Sequence, residues 1–92
     1  MTMPDPESAA RVAAAVARFE RRCAEAGTLI TGDGRVDETA AAALLGLAAM
    51  TLANKRTEAS GPPFYRLSAG NGSRVSYSLF DLAEWVERHR AG

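Results

Sequence analysis

The chain has 92 residues, of which 11 are basic and 11 acidic, so its formal net charge at neutral pH is zero. This length predicts one domain, and a composition of 47% hydrophobic and 24% charged residues is that of a globular protein with no apolar run long enough to span a membrane. The single cysteine and single histidine exclude an internal disulfide and a structural zinc site. Met1–Asp5 does not resemble a secretion signal, so we expect a cytoplasmic protein. We also expect it to function without a metal or cofactor.

A long amphipathic helix is predicted before Gly27, with Asp5 as its cap and Pro6 at the first helical position. Its apolar residues recur at alternating steps of three and four and form one seam: Ala9, Val12, Val16, Phe19, Cys23 and Ala26. The seam must pack either on the chain's own domain, the simpler interpretation, or on a second copy. Because Cys23 lies on this seam, we expect it to be an unreactive core thiol.

A short connector and a helix follow. Thr28–Thr31 is β-branched and apolar enough to predict an edge strand, and Gly32–Gly34 predicts a turn. Asp37 and Glu38 then open a helix that ends at Leu45. Three of its residues are expected on the buried side: Ala41, Leu44 and Leu45. Gly46 supplies a tight bend, so a second helix can begin close to the first.

The second helix is predicted from Ala48 to Ala59 and has two different faces. One face carries Ala49, Leu52, Ala53 and the stem of Arg56. The other face carries hydrogen-bond donors and acceptors as well as charge, in Thr51, Asn54, Lys55 and Glu58. A polar face of this kind is suited to contact a polar partner.

A β-hairpin is predicted after this helix. Gly61-Pro62-Pro63 prevents further helix and imposes an extended backbone. Two alternating stretches, Phe64–Ser68 and Arg74–Ser78, flank the glycine-rich segment 69–73, and its Asn71-Gly72 step is a strong turn signal. We call this predicted hairpin the wing.

The last predicted helix begins at a capping box, in which Ser78 accepts from the amide three residues on and Asp81 reaches back. Four residues are expected on its inward side: Leu79, Leu82, Trp85 and Val86. We therefore predict that Trp85 lies in the core. Arg88, His89 and Arg90 suit the negative end of the helix dipole.

These elements predict a mainly α fold with a small β-hairpin wing. Residues 1–27 form an extra N-terminal helix for packing or dimerisation, and residues 28–92 form a winged helix-turn-helix. Such a unit inserts one helix into the major groove of DNA while the ribbon contacts the adjoining backbone. The local charge agrees with DNA binding. The segment from Ala48 to Tyr77 has one acidic residue, Glu58, and four basic residues: Lys55, Arg56, Arg66 and Arg74.

From Val36 to Arg90, about three fifths of the chain, the sequence resembles the excisionase-like members of the MerR-type winged helix-turn-helix family. The residues that carry the resemblance are Ala41-Ala42, Leu44-Leu45-Gly46-Leu47, Thr51-Leu52, Lys55-Arg56, Gly61-Pro62-Pro63-Phe64, Arg74-Val75-Ser76-Tyr77, Asp81-Leu82 and Trp85-Val86. The resemblance implies that the helix after Leu47 enters the major groove and that the wing touches phosphates or the minor groove. Its members are small phage and plasmid proteins that bind specific duplex DNA.

Three departures from that family are visible. Ala48 and Ala49 stand where a serine or threonine usually caps the recognition helix, which forfeits about 1 kcal/mol of capping. Lys55 stands where an aromatic residue is common. The predicted wing turn is also longer and richer in glycine.

The expected DNA contacts follow from side-chain chemistry. Thr51, Asn54 and Lys55 are predicted to contact bases, because asparagine pairs with adenine and lysine with guanine. Arg56 is expected to contact a base or the backbone, or to pack its stem beneath the wing. Backbone and wing contacts are predicted for Arg35, Arg66, Asn71, Ser73 and Arg74.

The resulting hypothesis is a small regulator without catalysis, either an excisionase-like recombination directionality factor or a transcription regulator of a phage or mobile element. Its expected partners are double-stranded DNA, further copies of itself as a homodimer or a cooperative head-to-tail assembly on DNA, and an integrase. The alternative is a protein-interaction adaptor that has lost DNA binding, which zero net charge favours. Ser78, Asp81 and His89 do not make a triad, since Ser78 and His89 on one helix lie about 16 Å apart.

Overall fold

The structure is a computed structural model that describes residues 6–66 and 74–91. Across these residues four helices pack around a small antiparallel sheet. The helices are α1 (Pro6–Ala26), α2 (Glu38–Leu45), α3 (Ala49–Thr57) and α4 (Leu79–Arg88), and the strands are β1 (Arg35–Asp37), β2 (Tyr65–Arg66) and β3 (Val75–Ser78). The predicted class, mainly helical with a small sheet, is confirmed. None of the helices described here combines the length and apolar character needed to cross a bilayer.

Helix α1 packs along α4 and touches α2. Val12 and Ala15 are buried against Ala83 of α4, and Cys23 belongs to the main core of the domain. Ala9 and Ala26, which the sequence analysis placed on the buried seam, are exposed. Ala9 lies beside α4 in a groove that residues of both helices line, and Ala26 is the last residue of α1, so neighbouring elements leave both side chains exposed.

The predicted edge strand Thr28–Thr31 is wrong, because this segment has no regular secondary structure and leads into a turn at 32–33. The amide of Thr31 donates to the carbonyl of Arg35 at 2.9 Å, and the Thr31 hydroxyl accepts from the Arg35 amide at 2.9 Å. These local bonds satisfy the backbone without a neighbouring strand. Leu29 therefore points outward, with 84% of its surface exposed.

Helices α2 and α3 are separated by a three-residue bend. Asp37 caps α2 by accepting from the Ala40 amide at 2.8 Å, and Gly46 ends it in the left-handed region at φ 75°. Ala41 is fully buried as predicted, whereas Leu44 and Leu45 are half-buried and Ala42 takes their place in the core. Helix α3 follows Ala48, which makes no side-chain capping bond.

Helix α3 ends at Thr57, two residues before the predicted end at Ala59. Ala59 adopts φ 57° and is the only non-glycine residue with positive φ in the part of the chain that the structure describes. Its amide donates to the Arg56 carbonyl, and the Ser60 amide donates to the Lys55 carbonyl. The chain thus leaves the helix through a left-handed residue before the two prolines.

The three strands are arranged in the order β1-β3-β2, all antiparallel. Val36 of β1 lies opposite Tyr77 of β3, and both side chains are buried against the helices. On the other side of β3, Tyr65 pairs with Ser76. The β2–β3 pair, called the ribbon below, corresponds to the predicted wing, and its predicted turn at 69–73 lies outside the described residues.

Helix α4 follows β3 directly. Ser78 is the last strand residue and also the cap, its hydroxyl accepting from the Asp81 amide at 3.0 Å, as predicted. Leu79 and Leu82 are buried as expected. Trp85 is only half-buried and Val86 is 38% exposed, so the prediction of a core tryptophan is wrong. Helix α4 turns the small Ala83 toward α1, which allows the two helices to approach closely.

Candidate nucleic-acid interface

Helix α3 is anchored by one apolar residue and presents a polar face outward. Leu52 is fully buried, whereas Thr51 and Asn54 are exposed as predicted. Lys55 is half-buried because its stem lies against Gly61, where an added Cβ would come within 3.2 Å of the Lys55 Cβ. The lysine ammonium can still extend from such a stem to a partner.

The most outward row of α3 differs from the predicted one. Met50, Asn54 and Thr57 are spaced by four and three residues and lie opposite Leu52 on the helix. All three are exposed, Met50 to 71%. Sequence reasoning missed Met50 and Thr57. The signal was present, because Leu52 is the single large apolar residue at the centre of α3 and sets which residues must face away from the core.

Phe64 joins α3 to the ribbon. The guanidinium of Arg56, from α3, lies 5.7 Å from the centre of the Phe64 ring, and that of Arg66, from β2, lies 5.4 Å from it. Phe64 also packs on Tyr77, with ring centres 6.4 Å apart. Two cations within reach of one ring place the C-terminal half of α3 next to the ribbon.

A charged network fixes this junction. The Glu38 carboxylate accepts from Arg56 Nε at 2.8 Å, from Arg56 Nη2 at 3.1 Å and from the Tyr77 hydroxyl at 2.6 Å. The bonds from Arg56, with a smaller contribution from Tyr77, hold the pKa of Glu38 below its ordinary value despite partial burial. Burial, followed by the bond to Glu38, raises the pKa of Tyr77. The network connects α2, α3 and β3.

Arg56 therefore has a structural position. Its side chain is only 20% exposed. The guanidinium contacts two groups of the same domain, the carboxylate of Glu38 and the ring of Phe64. Of the two roles left open by the sequence, this placement favours packing beneath the ribbon. A contact of Arg56 with DNA would require it to leave a two-point bond to a carboxylate.

Arg35 lies away from this junction. Its Nε pairs with Asp33 at 2.9 Å, its Nη1 donates to the Ser76 hydroxyl at 2.9 Å, and its guanidinium lies 5.3 Å from the Tyr65 ring centre. Tyr65 and Phe64 are consecutive, so they point to opposite faces of the sheet. The structure thus separates Arg35 from the face that carries Phe64 and Arg66.

The charges near α3 are mainly positive. Arg66 is exposed on β2, Arg74 is exposed one residue before β3, and Lys55 is half-buried on α3, while Glu58 is exposed at the end of that helix. Glu38 is neutralised by Arg56. Asn71 and Ser73, the other predicted wing contacts, lie outside the described residues. The arrangement combines hydrogen-bonding side chains on a helix with cations on an adjacent ribbon.

The remaining side chains with metal-binding or nucleophilic chemistry are placed as follows. Residues 6–66 and 74–91 contain no group of three potential metal ligands. Ser78 is used as a cap, and His89 Nδ1 lies 2.7 Å from the Trp85 carbonyl, so these side chains do not form a nucleophile and base pair. Burial, with a smaller contribution from Glu20, raises the pKa of the Cys23 thiol, which suits a core position.

Comparison of the chain with known protein families, with characterised proteins and with solved structures finds no significant match. A functional proposal therefore depends on the surface formed by α3 and the ribbon. That surface consists of the exposed residues of α3 together with Arg66, whose guanidinium lies on the same side of the sheet as Phe64.

Proposed function

We propose that this chain is a winged helix-turn-helix protein that binds specific sequences in duplex DNA. One observation carries the proposal: the exposed polar face of α3 lies beside a ribbon with exposed Arg66, and Phe64 contacts cations from both elements. A helix and a basic ribbon held side by side can meet one duplex, the helix in the major groove and the ribbon on the backbone.

In this mechanism α3 supplies sequence selection. Asn54 can make paired hydrogen bonds to adenine, and Lys55 can donate to guanine, each good contact giving about 1 to 3 kcal/mol of discrimination. Thr51 contacts a thymine methyl or a phosphate. Arg66 and Arg74 neutralise phosphates, which supplies affinity without selecting sequence.

The biological role proposed is that of an excisionase-like recombination directionality factor or a small transcriptional regulator of a phage or mobile element. Zero net charge limits the affinity of a single copy for DNA. Several copies bound side by side, as a homodimer or a head-to-tail assembly, would compensate by adding contacts with each other. An integrase is the partner expected for the excision role.

The proposal is tested by electrophoretic shift at two salt concentrations, on a duplex selected from a random library and on an unrelated duplex. Asn54→Ala and Lys55→Ala should weaken the selected duplex more than the unrelated one. Arg74→Ala should weaken both alike and lower the slope of log affinity against log salt by about 1.

The control is Arg21→Ala, which removes an equal charge from an exposed position on α1, the helix that packs on α4 and α2. It should leave both duplexes nearly unchanged. Equal losses for all the α3 and ribbon variants on every duplex, or no selective shift by the unmodified protein, would refute the proposal.

A protein-interaction adaptor is the second candidate, favoured by a groove of about 690 Å³ between α1 and α4. Apolar residues line it, among them Ala9, Val12 and Phe80, and Phe80 is 54% exposed. An adaptor should show no sequence-selective shift at either salt concentration. Partner binding would then be lost on Phe80→Ala but retained in Arg74→Ala.

A further inference from the structure

We infer that Met50 is a specificity-determining residue that contacts thymine methyl groups, so that α3 selects A·T-rich sequence. The inference rests on the proposed function and goes further by naming the base chemistry. Its starting observation is the position of Met50, which is 71% exposed in the first turn of α3 and lies on the same outward row as Asn54.

The position of Met50 suits contact with a base edge. It lies in the first turn of α3, and the first turns of recognition helices are the parts that reach the bases. The row Met50, Asn54 and Thr57 spans about 10.5 Å along the helix axis, at about 1.5 Å per residue. That length matches roughly three base-pair steps of B-DNA at about 3.4 Å each.

The chemistry of the row indicates what it can read. The C5-methyl group of thymine is the apolar group that a standard base pair presents in the major groove, and Asn54 is suited to adenine. The Thr57 hydroxyl donates to the Ala53 carbonyl at 3.1 Å, so its hydrogen-bonding capacity is directed toward the helix backbone. Met50 and the methyl group of Thr57 therefore flank Asn54 with apolar contacts.

The surroundings of Met50 favour DNA over a protein partner. The other exposed residues near Met50 on α3 are polar, namely Thr51, Asn54 and Thr57, so Met50 is not part of a larger apolar patch on this helix. Exposed cations of the ribbon lie on the adjoining element, which complements phosphates. A flexible thioether can adjust to a methyl group without a shaped pocket.

The test removes single methyl groups from the DNA. Each thymine of the selected duplex is replaced in turn by deoxyuridine, which keeps base pairing and deletes only the C5-methyl group. Affinities are measured for the unmodified protein, for Met50→Ala and for the control Leu29→Ala, which truncates an apolar side chain that is 84% exposed outside α3.

The unmodified protein and Leu29→Ala should lose about fourfold in affinity at one or two thymines, the equivalent of one buried methyl group. Met50→Ala should lose nothing further at one of those positions while it keeps the losses elsewhere. Equal losses in all three proteins at every thymine, or no loss at any thymine, would overturn the inference and leave the proposed function intact.

If selection yields no preferred duplex, the proposed function fails and the inference fails with it. The oligomeric states of Met50→Ala and of the unmodified protein are then compared by sedimentation, to test whether Met50 lies in a protein interface instead. A change in oligomeric state would assign the exposed α3 row to a protein interface.

Discussion

Glu38 is the residue on which the junction between α2, α3 and β3 depends, because its carboxylate accepts from both Arg56 and Tyr77. Its pKa is lower in the folded state than in the unfolded chain, chiefly because Arg56 donates to it. A group of this kind stabilises the fold above its unfolded pKa, about 4.3, and the contribution is lost as the pH falls through the folded pKa.

We therefore predict that Glu38→Gln lowers the free energy of unfolding at pH 7 by about 1 to 2 kcal/mol and flattens the loss of stability in acid. Urea unfolding between pH 7 and pH 2 measures both effects. Glu58→Gln, at the exposed end of α3, is the control and should keep the acid-dependent loss. An unchanged acid profile in Glu38→Gln would show that the network does not form in solution.

Tyr77 responds in the opposite direction. Burial and the bond to Glu38 raise its pKa, so its contribution is fully present below its unfolded pKa, about 10, and is lost as the pH rises through the folded value. Tyr77→Phe should lower stability at pH 7 by about 1 kcal/mol through loss of the hydrogen bond. It should also reduce the decline of stability in alkali, measured by urea unfolding above pH 9. A decline as steep as that of the unmodified protein would contradict this assignment.

Ala59 occupies the left-handed region at φ 57°, which disfavours any residue with a Cβ by about 1 to 2 kcal/mol. Glycine removes that strain but has more freedom in the unfolded chain, so the net gain is smaller. We predict that Ala59→Gly raises the free energy of unfolding by about 0.5 kcal/mol in thermal or urea melts. A clear loss of stability would mean that the residue is not left-handed in solution.

At the scale of elements, helix caps provide a matched pair of substitutions. Helix α3 has Ala48 at its cap position and no capping bond, whereas Ser78 caps α4. Ala48→Ser should raise the free energy of unfolding by about 1 kcal/mol, and Ser78→Ala should lower it by a similar amount. Thermal melts of the two variants test both signs. A destabilised Ala48→Ser would contradict the boundary of α3.

Local signals explain what the sequence analysis predicted correctly. The caps at Asp37 and Ser78 and the left-handed Gly46 each depend on residues within four positions, so they could be read directly. The strand expected at Thr28–Thr31 failed for a related reason. Its β-branched residues fitted a strand, but Thr31 bonds to Arg35 across the following turn instead of to a neighbouring strand.

The candidate site was predictable only in part. Asn54 is exposed because helical periodicity places it opposite Leu52, and Thr51 is exposed on the side of the helix. The packing of Arg56 beneath the ribbon was one of two expected roles, but its ion pair was not predictable, because Glu38 lies 18 residues earlier and on another helix. Trp85 was misplaced because the packing of α1 on α4 selects small Ala83 for the contact, and no local pattern encodes that choice.

At the scale of the whole molecule, α1 contributes to stability through the chain's own core. Val12 is buried against α4, so Val12→Ala should lower the free energy of unfolding by about 2 kcal/mol. Val86→Ala, which removes the same two methyl groups at a 38% exposed position, should have a much smaller effect. Urea unfolding distinguishes them. Equal effects would indicate that α1 is not docked on α4 in solution.

The direct passage from β3 into α4 has a mechanical consequence. Ser78 belongs to both elements, Leu79 and Leu82 lie in the core, and α1 covers α4. The base of the ribbon is therefore joined to α4 without a flexible linker. A rotation of the ribbon relative to the core would therefore carry α4 with it, and α1 with α4, because the three elements are packed in sequence on one another.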